Sequence, residues 1–123
     1  ELVKNIAMHV AATNPISVSA DQVPAAVVER EKGIYADQVK GKPAEITAKI
    51  VDGKLKKFFA ERCLLEQPYV KNPDQTVGQM VQEKVAKIGE NIQVRRFARY
   101  RLGEGIEKRK DDFAAEVAAM TKA

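Results

Sequence analysis

Cysteine and histidine are nearly missing from this 123-residue chain, where Cys63 and His9 are the single representatives of their types. One thiol forms no intrachain disulfide, and a free cysteine ordinarily behaves as a small buried hydrophobe. A nucleophilic cysteine would need a partner base, and the one histidine falls in a different predicted helix. Metal ligation wants companion ligands that the sequence does not offer. His9 therefore reads as a core or boundary residue holding a hydrogen bond. No apolar run approaches the ~20 residues needed to cross a bilayer, and no basic start leads into a short apolar block like a secretory signal. A cytoplasmic setting is the expectation. HExxH, CxxC, DxDxDG and P-loop patterns are all absent. Without a nucleophile, base and oxyanion donors in one place, neither enzymatic activity nor a cofactor or metal is expected.

What remains is the composition of an ordinary globular protein, 45% hydrophobic and 31% charged. Its length suits one domain, residues 1–123, with a core that needs no staple. The first residue is Glu1 rather than methionine, which points to a processed product or an excised fragment. The net charge of +4 is concentrated. Residues 91–110 hold seven basic side chains against two acidic ones, and the remainder holds 14 against 15. That local +5 suits an acidic protein surface or a phosphate backbone, or is simply a solvated face.

Residues 1–12 place Leu2, Ile6 and Val10, with Val3 between, on one side of a helix. Asn14-Pro15 ends it. Pro24 suits the first position of a second helix, and Gly41-Lys42-Pro43 breaks that helix from a third. Val27, Val28, Ile34, Tyr35 and Val39, then Ile46, Ile50, Val51, Leu55, Phe58 and Phe59, recur at helical spacing. The two arms form an antiparallel hairpin over about 24–65, projecting ~25–30 Å at 1.5 Å per residue. Gly33 and Gly53 lie almost equally far from the Lys42 turn, so a close backbone approach between the arms is expected there.

Residues 67–73, with two prolines, read as an extended connector or edge strand. Thr76-Val77-Gly78-Gln79 has capping-box spacing, and Val77, Met80, Val81, Val85 and Ile88 form one stripe that Gly89 closes. Residues 91–102 switch to period two: Ile92, Val94, Ala98, Tyr100 and Leu102 share one face, and Arg95, Phe97, Arg99 and Arg101 the other. A strand is expected. Gly103-Glu104-Gly105 is a tight turn with room for positive φ at either end. A last helix, about 111–121, opens with Asp111 and Asp112 and carries Phe113, Val117 and Met120 as a stripe for its own domain or for a partner. The fold class is α+β: a small antiparallel sheet packed with helices, plus a projecting antiparallel helical (coiled-coil) hairpin.

Three segments in order, IAMHVAA (residues 6–12), IGENIQVRRFARYRLGEGIEK (residues 88–108) and DFAAEVAAM (residues 112–120), resemble elongation factor Ts. The resemblance implies a guanine-nucleotide exchange factor that binds elongation factor Tu·GDP and promotes GDP release, with no bond of a substrate made or broken. It covers only the C-terminal core subdomain, hairpin and terminal helix of that family. The family's Thr-Asp-Phe-Val motif and its N-terminal helical domain have no counterpart here, so weak binding and slow exchange are expected. Partner contacts are expected at Arg99, Phe113, Val117 and Met120, and structural roles at Gly33, Gly53, Gly89, Gly103 and Gly105. The alternatives are a basic RNA-binding module, against which the hairpin's balanced charge argues, and a purely structural dimerisation module. An open edge beside residues 92–102 also allows a homodimer. Neither membrane nor direct nucleic-acid binding is expected.

Overall fold

A computed structural model describes residues 1–107 and 113–122. Helix α1 (Leu2–Thr13) stops where Asn14 turns left-handed, φ 47°, and returns its N–H to the Val10 carbonyl. Its inward face is Leu2, Ile6, His9 and Val10. Val3 does not share that face as expected; it is 80% exposed. After Pro15 the chain runs alongside the end of the third helix. The Ile16 amide donates to the Arg62 carbonyl, and the Leu64 and Leu65 amides donate to Ser17 and Val18. Ser17 and Cys63 thereby form an isolated parallel bridge.

Helices α2 (Ala25–Gln38) and α3 (Ala44–Arg62) form the hairpin. Pro24 and Pro43 precede the helices in extended conformation rather than opening them, one residue outside the expected positions. Gly41, at φ 94°, makes the reversal between the arms. The arms run antiparallel. Lys54, on α3, hydrogen-bonds Gln38 and lies 5.4 Å from the ring centre of Tyr35 on α2. Nearer the base, Val27, Arg30 and Glu31 share a pocket with Phe58 and Arg62. Leu55 is the one buried residue of the two arms, as befits arms that pack mainly on each other.

Gly33 and Gly53 do not mark a close approach. A Cβ at either would meet no heavy atom within 4 Å. Equal distance from a turn fixes height along a helix pair, but rotation about each axis decides which side chains face inward, and that face belongs to Tyr35, Gln38 and Lys54. The tight glycine is Gly78, where a Cβ would lie 2.9 Å from the Leu65 carbonyl oxygen.

After a 3-10 turn (Leu64–Glu66), strands β1 (Pro68–Tyr69) and β2 (Asn72–Thr76) pair antiparallel, Pro68 opposite Thr76 and Tyr69 opposite Asn72. Helix α4 (Val77–Ile88) opens with the expected capping box: Gln79 N–H donates to the Thr76 hydroxyl, and Thr76 N–H donates to the Gln79 side chain. Gly89 closes it at φ 73°. The core gathers Val10, Leu64, Tyr69, Val77 and Met80, with Leu2, Ile6, Leu65, Val94 and Phe97 packed around them. Leu64 and Val77 are fully buried, a burial that stabilises by about 1.5–3 kcal/mol per side chain.

Residues 91–102 are not a strand. Among the described residues the sheet consists of β1 and β2 alone, and residues 91–102 carry no regular secondary structure. A strand needs a neighbour that returns its hydrogen bonds. Here the neighbour is α1, whose backbone groups are bonded within the helix. Ile92, Val94 and Phe97 still turn inward, whereas Tyr100 and Leu102 are exposed. The alternation thus slips at Arg95-Arg96. Gly103 and Gly105 do take positive φ, with Glu104 N–H bonded to the Arg101 carbonyl and Ile106 N–H to the Gly103 carbonyl. Helix α5 spans Phe113–Thr121; Asp111 and Asp112, read as its opening, lie outside the described residues.

Candidate partner-docking surface

One flank of α1 and residues 93–98 enclose an open groove of about 490 Å³. Val3, Ile6, Ala7 and Val10 form one wall, and Val94, Phe97 and Ala98 belong to the other. Arg95 and Arg96 stand in the same wall, both exposed. Among the described residues neither side chain makes a hydrogen bond or an ion pair, nor does the Arg101 guanidinium. The described ion pairs all lie within the hairpin: Glu29–Lys32, Asp37–Lys40 and Lys57–Glu61.

Arg99 has a structural assignment. Its guanidinium donates to the Ala11 carbonyl at 3.5 Å. In an uninterrupted helix that carbonyl would accept from the residue four positions on, but that residue is Pro15, which has no N–H. Helix α1 also carries no basic residue in its last turn, so Arg99 supplies the positive charge that a helix C-terminus favours.

The inward side of α1 also holds a polar hub. His9 is fully buried. Its Nδ1 accepts from the Val70 backbone N–H at 3.3 Å, so Nε2 carries the proton and donates to Gln67 Oε1 at 2.8 Å. The Gln67 amide then donates to the Glu61 carbonyl at 2.8 Å, near the end of α3. Thr13 reaches both the His9 carbonyl and Gln67 Oε1. One imidazole thus ties together α1, α3 and β1. It has the satisfied core role expected of it, and no group of possible metal ligands occurs among the described residues.

Among the described residues, two groups have displaced ionisation. Burial pushes the Cys63 thiol up, Glu66 and Asp21 add to this, and its hydrogen bond with Ser17 opposes it. Burial also raises the Tyr35 phenol, with Glu31 and Glu61 adding. Burial and the neighbouring carboxylates disfavour the Cys63 thiolate, so the thiol is not activated.

The remaining sequence candidates are on α5. Phe113, Val117 and Met120 are 76%, 42% and 78% exposed, and every described residue of the helix is exposed. The stripe is therefore not packed into the protein's own core. Sequence reading missed the groove itself; its signal was Val3 and Ala7, apolar residues lying outside the stripe that the core uses.

Residues 1–104 match the sequence model of the family described as Elongation factor TS. The chain belongs to the elongation factor Ts family. It is 56% identical to elongation factor Ts of Citrifermentans bemidjiense over 119 residues, 95% of this chain and 55% of that protein. Elongation factor Ts of Heliobacterium modesticaldum is 57% identical over 120 residues, covering 96% of this chain and 56% of that protein. With Alkaliphilus metalliredigens elongation factor Ts the identity is 52% over 120 residues, with the same coverage. The chain spans about half the length of these relatives. Among the described residues no helix is long and apolar enough to cross a membrane.

Proposed function

We propose that this chain acts in translation as part of a guanine-nucleotide exchange factor, gripping elongation factor Tu·GDP in the cytoplasm and promoting GDP release. The observation that carries this reading is the family match across residues 1–104. Exchange of this kind is a coupling free energy rather than a reaction. A protein that binds the nucleotide-free GTPase more tightly than its GDP form must weaken GDP by the same factor. The absence of any enzyme motif in the sequence suits such a role. Phe113, Val117 and Met120 on α5 are the apolar anchors offered to the GTPase, spaced at i, i+4 and i+7 for seating in a groove. Arg99 supports the surface through α1.

Because the chain spans about half of its relatives, binding is weaker and exchange slower than for a complete factor. The test is capture of elongation factor Tu·GDP on the immobilised chain, followed by release of a fluorescent GDP analogue. Acceleration that saturates with chain concentration, at a rate below that of a full-length relative, is expected. No capture and no acceleration at any concentration would overturn the reading.

A further inference from the structure

We propose that the helical hairpin carries a hinge. Its outer segment, residues 34–52, swings as a unit about Gly33 and Gly53, and the Tyr35 ring seated against α3 is the latch that keeps the arms straight. This goes beyond the exchange-factor reading and does not depend on it. Glycine in or beside a helix ordinarily answers one of two structural needs. It admits a close neighbour, as Gly78 does against the Leu65 carbonyl, or it takes positive φ, as Gly41 and Gly89 do. Gly33 and Gly53 do neither: both keep ordinary helical φ, and an added Cβ would meet no heavy atom within 4 Å. What remains is glycine's low resistance to a change of backbone angle. The pairing matters, because one compliant arm would be splinted by a stiff one. Gly33 precedes Lys42 by nine residues and Gly53 follows it by eleven, which sets the two within about 3 Å in height.

The two sides of that level differ in what holds them. On the base side Leu55 is buried, Phe58 and Phe59 are half-buried, and the Arg62 carbonyl accepts from the Ile16 amide. Beyond the glycines only Val39, beside the turn, is buried. Asp37 pairs with Lys40, Thr47 donates to the Lys42 carbonyl, and Gln38 accepts from Lys54. The polar contacts of the outer segment thus stay within the hairpin. A segment with so little buried surface belongs to the low-stability end of a fold. Tyr35 is what ties it down. Although it belongs to the outer segment, it shares a pocket with Lys54, Lys57, Phe58 and Glu61, all on the base side of Gly53. The Lys54 ammonium lies 5.4 Å from the ring centre. Glu31, on the base side of Gly33, acts on the same phenol. Every one of these contacts crosses the level of the glycines, so a bend there must withdraw the ring from its pocket.

The experiment measures distance distributions between pairs of spin labels by pulsed electron paramagnetic resonance. One pair, Glu45→Cys with Glu83→Cys, reports the outer segment against α4; the other, Lys56→Cys with Glu83→Cys, reports the hairpin base. All three positions are exposed, and Cys63 is fully buried and takes no label. A swing of about 20° over the ~12 Å from Gly53 to Glu45 moves the outer label by about 4 Å. The outer distribution is therefore expected to be broader than the base distribution by that order. Gly33→Ala/Gly53→Ala narrows it to the width of the base pair, and Tyr35→Ala broadens it further while the base pair stays as it was. Thermal unfolding confirms that each labelled protein is folded. Equal widths for the two pairs in the otherwise unaltered chain would overturn the hinge. So would an outer width that the alanines leave unmoved, which would assign the glycines to the approach of another backbone from outside. An outer width unchanged in Tyr35→Ala would overturn the latch.

Discussion

His9 illustrates how a single residue type carries more than its position suggests. Buried and neutral, it uses both ring nitrogens, and Gln67 uses both ends of its amide to extend the connection to α3. Replacing Gln67 with leucine conserves bulk but strands the His9 Nε2–H and the Glu61 carbonyl. An unsatisfied buried polar group costs about 1–3 kcal/mol, so Gln67→Leu should lose about 2–4 kcal/mol in urea unfolding, and a loss under 1 kcal/mol would refute the hub. Cys63 makes a different prediction, in pH. Its thiol is raised by burial, so the folded protein keeps that proton to higher pH than the unfolded chain does. The stability it contributes is complete below the ordinary thiol range and drains away as pH climbs through the raised value. Urea midpoints should therefore fall on the alkaline side, and less steeply in Cys63→Ala. Identical alkaline slopes in the two proteins would show that the thiol is not the source. Tyr35, also raised, contributes in the same sense at still higher pH and remains in the variant.

Helices and their ends were readable because their determinants are local. Thr76 and Gln79 cap α4 through a spacing of three residues, and Asn14, Gly41 and Gly89 sit where a left-handed residue ends a turn. Thr76→Ala should cost about 1 kcal/mol, measured by urea unfolding. The glycines show where such reading stops. Gly33 and Gly53 face open space, so alanine at either should stabilise by about 0.5–1 kcal/mol, the ordinary helix-interior gain. Gly78 lies against the Leu65 carbonyl, and overpacking there should cost about 1–3 kcal/mol in Gly78→Ala. Thermal unfolding of the three variants decides the matter: opposite signs are expected, and a destabilised Gly33→Ala would restore the close approach between the arms. Residues 91–102 misled for another reason. Period-two patterning describes two faces of an extended segment, but pairing is a property of two segments, and among the described residues none lies beside residues 91–102 as a strand. The slip at Arg95-Arg96, which brings Phe97 inward, shows in the pattern only as Arg96 interrupting the apolar face. The same holds for the His9–Gln67 contact across 58 positions, hinted at only by a histidine near an apolar stripe.

Taken as a molecule, the protein divides its apolar surface unevenly. One set closes around Leu64 and Val77; another, on α5 and along the groove, stays open to water. Open apolar faces on a folded domain mark places where another surface is to be received. On the exchange-factor reading proposed above, this has a quantitative consequence. Whatever free energy those faces contribute equally to the GDP-bound and nucleotide-free GTPase tightens binding without displacing nucleotide. Only contacts better made in the nucleotide-free state drive release. Four affinities close this cycle: the chain for each form of elongation factor Tu, and GDP for the GTPase with and without the chain. Titration calorimetry should give equal ratios along the two pairs of edges, by linkage. Because this chain spans about half of its relatives, that common ratio should be smaller than for a full-length factor, while affinity for the GDP-bound form falls less. A partial chain whose ratio equals that of the whole would place the entire exchange function within these 123 residues.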